Sequence, residues 1–160
     1  MARANSKATI DGILASAESA CAAAGVRLTA KRKAVLATLL RQGQALSAYE
    51  LAEHYRQDHG ESIPTMSVYR MLDFLAEQNL VHKLGAINKY IACAHISCSH
   101  QHETPQFLIC DDCHSVSEVE VEAKTLDKLG REVEASGFHL RSRQLELHGL
   151  CDPCYKRISA

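Results

Sequence analysis

Apolar residues recur at helical spacing in four stretches of the first eighty positions. Ile10, Ile13, Leu14, Ala17, Cys21 and Ala24 form one stripe over residues 8–24, and Gly25 stops it. Cys21 lies in that stripe and reads as a small buried hydrophobe. Thr29 is a good N-cap for the next stripe, Val35, Leu36, Leu39 and Leu40. Ser47 and Glu50 make a capping box for a third helix with Leu51, Ala52 and Tyr55 inward. In the fourth, Pro64 blocks helix upstream and Thr65 can cap. Val68, Met71, Leu72 and Leu75 then share a buried face, and Ser67, Arg70 and Asp73 fall largely on another, with Tyr69 near the boundary. This order is a helix-turn-helix arrangement whose last helix can enter a major groove.

The period then changes. LVHKL and NKYIAC read as two short strands around Gly85-Ala86-Ile87-Asn88, the wing of a winged helix. HISCSHQHETP is polar and His-rich, a loop between domains. FLIC and VSEVEVE follow as strands, residues 122–136 as an amphipathic helix through Leu126, Leu129 and Val133, and FHLRSRQLELHG as a third strand over Leu140, Leu145 and Leu147. LCDPCYKRIS closes the chain as a knuckle and a short turn of helix. The fold class is therefore α+β: an N-terminal winged helix-turn-helix domain over 1–88, a hinge at 89–95, and a small α/β dimerisation domain over 96–160. A sheet this small leaves apolar faces exposed, and a homodimer would cover them.

Charge sharpens this division. The net charge is −1, but residues 1–90 carry 11 Lys and Arg against 8 Asp and Glu, and residues 91–160 carry 7 against 11. The basic half suits an anionic partner. Lys31, Arg32 and Lys33 cluster in a first helical turn, where phosphate contact competes with a plain solvated face. No apolar run is long enough for a signal peptide or a membrane span, which points to a cytoplasmic protein. Seven Cys in a reducing compartment favour metal thiolates over disulfides.

Nine of the 16 Cys and His residues fall between His82 and His114. Cys110-Asp111-Asp112-Cys113 and Cys151-Asp152-Pro153-Cys154 are two C-x-x-C pairs separated by 37 residues. Each pair can bite one metal, and two pairs make a closed tetrahedral zinc site with no open position, hence a structural one. A pair of redox dithiols fits less well. His82, Cys93, His95, Cys98, His100, His102 and Glu118 together suggest a second site, with ligands from both halves. An enzyme such as a zinc deaminase needs an H-x-E near its thiolates; the H-x-E here is His59-Gly60-Glu61, in the helical half.

TAKRKAVLATL, SAYELAE, SVYRMLDFL, LVHKL, FLICDDCHSVSEVE and HGLCDPC resemble the ferric uptake regulator superfamily of bacterial metal-dependent repressors, and within it the zinc uptake regulator branch. The likeness runs from about residue 10 to 156. It implies a homodimer that binds operator DNA when zinc-loaded, with no enzymatic activity and two Zn2+ per chain. The structural zinc carries over onto Cys110, Cys113, Cys151 and Cys154, and the regulatory zinc onto His82, Cys93, His102 and Glu118. DNA contacts are expected from Tyr49, Ser67, Tyr69 and Arg70, with Lys31 and Arg32 on phosphates. Ser67 stands where the family usually has Thr, which keeps the hydroxyl. A loop about one residue longer than the family pattern makes His100 a rival to His102, with His95 and Cys98 as extras. The segment ETPQFLI lacks the His cluster common in the iron-type branch, and the Cys93 thiolate favours zinc over iron(II). The alternative is a sensor of iron, manganese or peroxide in the same superfamily.

Overall fold

The computed structural model describes residues 7–97 and 104–160. The chain divides between Ser99 and His100 into two compact units.

The first unit holds α1 (Lys7–Ala23), α2 (Ala30–Gln42), α3 (Ala48–His59), α4 (Thr65–Glu77), β1 (Val81–Leu84) and β2 (Lys89–Ala92). Ile10, Leu14, Ala17 and Cys21 of α1 meet Val35, Leu36, Leu39, Leu51, Val68, Leu72 and Leu75 in one core, as their spacing requires. Gly25 takes φ 74°, and the turn closes with the Val26 N–H donating to the Cys21 carbonyl at 3.0 Å. Thr29 caps α2 through the Arg32 N–H, and the Ser47–Glu50 capping box forms in both directions.

The cap of α4 differs from the expected one. Thr65 is the first helical residue and Pro64 is the N-cap, with no side-chain cap bond. The ring fixes Pro64 at φ −57° with an extended ψ of 135°, and its carbonyl receives the Ser67 and Val68 N–H groups at 2.8 and 3.1 Å. Beyond α4, Asn79 turns the chain at φ 56° into the wing.

β1 and β2 pair antiparallel, Val81 opposite Ala92. Leu46 and Tyr90 exchange backbone bonds of 2.9 and 2.8 Å, which ties the wing to the lead-in of α3. Lys89–Ala92, which the sequence reading gives to both wing and hinge, is therefore strand.

The second unit holds β3 (Gln106–Cys110), β4 (Val116–Val119), α5 (Ala123–Ala135), β5 (Glu146–Gly149) and α6 (Asp152–Ser159). The sheet order is β4-β3-β5, with β4 antiparallel and β5 parallel to β3. Two strands are shorter than their sequence patterns. VSEVEVE stops at Val119, which pairs with Gln106, the first residue of β3; Pro105 before it has no N–H to continue the ladder. FHLRSRQLELHG is strand only over its last four residues; Phe138 and Leu140 are exposed. Leu108 and Leu147 are cross-strand neighbours and exposed, so an apolar strip lies open on the sheet.

Candidate metal centre

Cys110 is the last residue of β3 and lies in register with Gly149, the last of β5. Because β3 and β5 run parallel, the two C-x-x-C knuckles leave the sheet at the same end, however long the segment between them. The Asp111 N–H donates to the Gly149 carbonyl at 2.8 Å, and the Cys151 N–H donates to Cys110 Sγ at 3.4 Å. The first knuckle is a tight turn: His114 N–H returns to the Cys110 carbonyl at 3.0 Å, with His114 at φ 59°. The second opens α6, with Cys151 as N-cap, a Pro in the first turn, and Cys154 buried just inside.

The four sulfurs lie within 4.8 Å of one another, and Cys113 and Cys151 Sγ are 3.7 Å apart. Tetrahedral zinc with Zn–S bonds of about 2.3 Å sets its sulfurs roughly 3.8 Å apart. The donor set therefore fits zinc in both chemistry and spacing. The N–H groups of Cys151, Cys113 and Asp112 hold the Cys110 thiol down to about 6. The Ser115 hydroxyl, 3.1 Å from Cys113 Sγ, helps lower the Cys113 thiol. Cys154 is pushed far the other way, first by the Asp112 carboxylate and then by the neighbouring sulfurs. A bare cluster thus ionises in part and resists further negative charge; a divalent cation removes that conflict.

Of the residues expected to form a regulatory site, His82 lies on β1 opposite Ile91 and is half-buried. Cys93 continues the ladder just past β2: its N–H donates to the Leu80 carbonyl at 2.9 Å, and its thiol is buried. Side chains two apart share a face, so Cys93 joins Ile91 and His82 on one side of the wing. His95 is half-buried and donates its N–H to Cys93 Sγ at 3.4 Å. Glu118 lies on β4 opposite Phe107 in the second unit. His102, with its rivals His100 and Cys98, lies outside the described residues.

The residues expected to meet DNA fall into two groups. Tyr49, in the first turn of α3, is 69% exposed; Arg70 is exposed on α4, with Ser67 and Tyr69 half-buried beside it. Lys31 is exposed and shares a 3.2 Å surface ion pair with Glu61. Arg32 is engaged inside its own unit. Its guanidinium sits 3.6 Å over the Phe74 ring of α4 and donates to the Arg27 carbonyl at 3.1 Å.

One structural residue escaped the pattern reading. Gln106 is fully buried; its Nε2 donates to the carbonyls of Thr104 and Arg143 at 2.8 and 3.0 Å, and its Oε1 receives the Leu145 N–H. It fastens the approach of β5 to β3, and so sets where the second knuckle arrives. A lone amide opening an apolar strand was the available signal.

The model of the ferric uptake regulator family matches residues 23–148. The chain belongs to this family. Among relatives of this family member, the zinc uptake regulation protein of Escherichia coli (strain K12) is 40% identical over 148 residues, which is 92% of this chain and 84% of that one. A solved zinc uptake regulator complexed with zinc and DNA superposes with a TM-score of 0.80 at 36% identity, covering 95% of this chain and 99% of that one. The crystal structure of holo XcZur gives 0.75 at 37% identity, covering 91% and 99%. No described helix is long and apolar enough to cross a membrane.

Proposed function

We propose that this family member is a zinc-responsive transcriptional repressor, a cytoplasmic regulator and not an enzyme, which binds operator DNA as a homodimer and controls zinc uptake. The likeness along nearly the whole chain to a regulator complexed with zinc and DNA carries this reading. The exposed tyrosine and arginine of Tyr49 and Arg70 support it, because they are suited to base edges and phosphates. The open strip of Leu108 and Leu147 supports a homodimer. The C-x-x-C pairs hold one zinc for folding. A second, regulatory zinc takes His82, Cys93, His102 and Glu118, supported by the placement of His82 and Cys93 on one face of the wing. Its donor set includes the Cys93 thiolate, which favours zinc over iron or manganese.

Zinc at that second site limits the motion of the winged helix, and the DNA-competent population rises. Coupling is reciprocal, so operator DNA tightens zinc binding. Lys31 contacts phosphate, and Tyr69 and Ser67 support Arg70 on the recognition helix. Zinc stoichiometry per chain tests the two-site reading. Two zinc ions falling to one on mild chelation is the expected result. One zinc throughout removes the regulatory site.

A further inference from the structure

Four thiolates on a divalent ion leave a doubly negative centre, and such a charge calls for a nearby cation. Arg157 ion-pairs with Asp112, and its Nη2 lies 3.9 Å from Cys154 Sγ. Asp112 sits between Cys110 and Cys113 in the first knuckle, and Arg157 lies three residues after Cys154 on α6. Helical i, i+3 spacing returns the guanidinium over its own knuckle's sulfur, while the same Nη2 reaches the carboxylate of the other. One side chain therefore touches both halves of the metal site.

We propose that Arg157 is the positioning residue and counter-charge of the four-cysteine centre, anchored by Asp112 and slowing release of the metal. An exposed Arg–Asp pair alone contributes little to folding. Beside a doubly charged cluster, the same guanidinium offsets the charge and holds the two knuckles closed. Outer partners of metal ligands typically change affinity by about 10–100-fold. The inference rests on the zinc reading of this site.

The test uses the full-length protein loaded with zinc, and follows metal transfer to a chromogenic chelator at low and high salt. Metal content comes first: purified native protein without zinc overturns the site itself. With zinc present, Arg157→Gln should release it about 10-fold faster. Arg157→Lys should restore most of the retention, and Asp112→Asn should fall between. Salt should narrow the gap between native and Arg157→Gln by screening the charge. In protein carrying cobalt(II) instead of zinc, the thiolate-to-metal charge-transfer band should shift in Arg157→Gln and stay near native in Arg157→Lys. A native release rate and native cobalt band in Arg157→Gln overturn the proposal, as does equal loss in the Lys and Gln variants. If Arg157→Gln does not fold, Arg157→Lys must still hold zinc longer than Asp112→Asn, and the reverse order overturns it.

Discussion

Arg32 separates two roles that a basic first turn can have. Its sequence position suggests a phosphate contact, yet its guanidinium covers Phe74 at 3.6 Å and donates to the Arg27 carbonyl at 3.1 Å. Phe74 lies on α4 one turn after Arg70, so Arg32 braces that helix beside its proposed DNA-contacting residues. Arg32→Gln removes both contacts. A cation–π contact at a half-buried site is worth about 1 kcal/mol. A charged donor to a carbonyl adds about 1.5 kcal/mol. Gln retains part of the stem packing, which brings the expected loss to about 2 kcal/mol. Urea unfolding of the zinc-loaded protein reads this directly, as a lower midpoint at unchanged slope. Operator affinity measured from about 50 to 200 mM salt reads the other role, since each lost phosphate contact lowers the log–log slope by about 0.9. Arg32→Gln should leave that slope unchanged. Lys31→Gln should lower it by about 1.8, one contact being lost from each protomer of the dimer, with stability within about 0.5 kcal/mol of native, its pair with Glu61 being exposed. A reduced salt slope with native stability in Arg32→Gln would refute the bracing role.

Other substitutions probe the remaining supports. Gln106→Leu should lower stability by about 1–3 kcal/mol, read by urea unfolding, because it leaves the part-buried Leu145 N–H and two carbonyls without their partner. Glu50 is held below the usual carboxylate range, chiefly by the Ser47 N–H, with Lys89 adding to it. A depressed folded value gives stability that is complete above the ordinary value of about 4.3 and is lost as pH falls through the folded value. Glu50→Gln keeps a capping hydrogen bond without the charge, so it should lower stability by about 0.5 kcal/mol at pH 7 after solvent screening, and the gap should close in urea titrations as pH falls below the ordinary carboxylate value and through the lowered folded one. Cys113→Ser should lose one zinc and lower the thermal midpoint; Cys93→Ser should lose one zinc, keep the fold and abolish the zinc response of operator binding.

The helical stripes, three of the caps and the wing were legible because they depend on local spacing and local donors. Leu72 and Leu75 face the core for the same reason that Ser47 caps α3: neighbours in sequence settle both. The four-cysteine centre was legible from its two pairs, although the parallel pairing of β3 with β5 that unites them was not. Non-local partners decided what spacing could not. Arg32 turns to Phe74, which is 42 positions away. The strand expected from Phe138 onward begins only at Glu146, just beyond the Leu145 N–H that Gln106 receives. At Thr65, two local rules competed, and the fixed φ of Pro64 took the N-cap position from the hydroxyl.

Zinc-dependent repression is tested most directly by operator binding against buffered free zinc, using protein that retains its four-cysteine zinc. Tight binding should appear over a narrow range of free zinc, be lost on mild chelation, and return when zinc is restored. Equal operator affinity with and without the second zinc would contradict it.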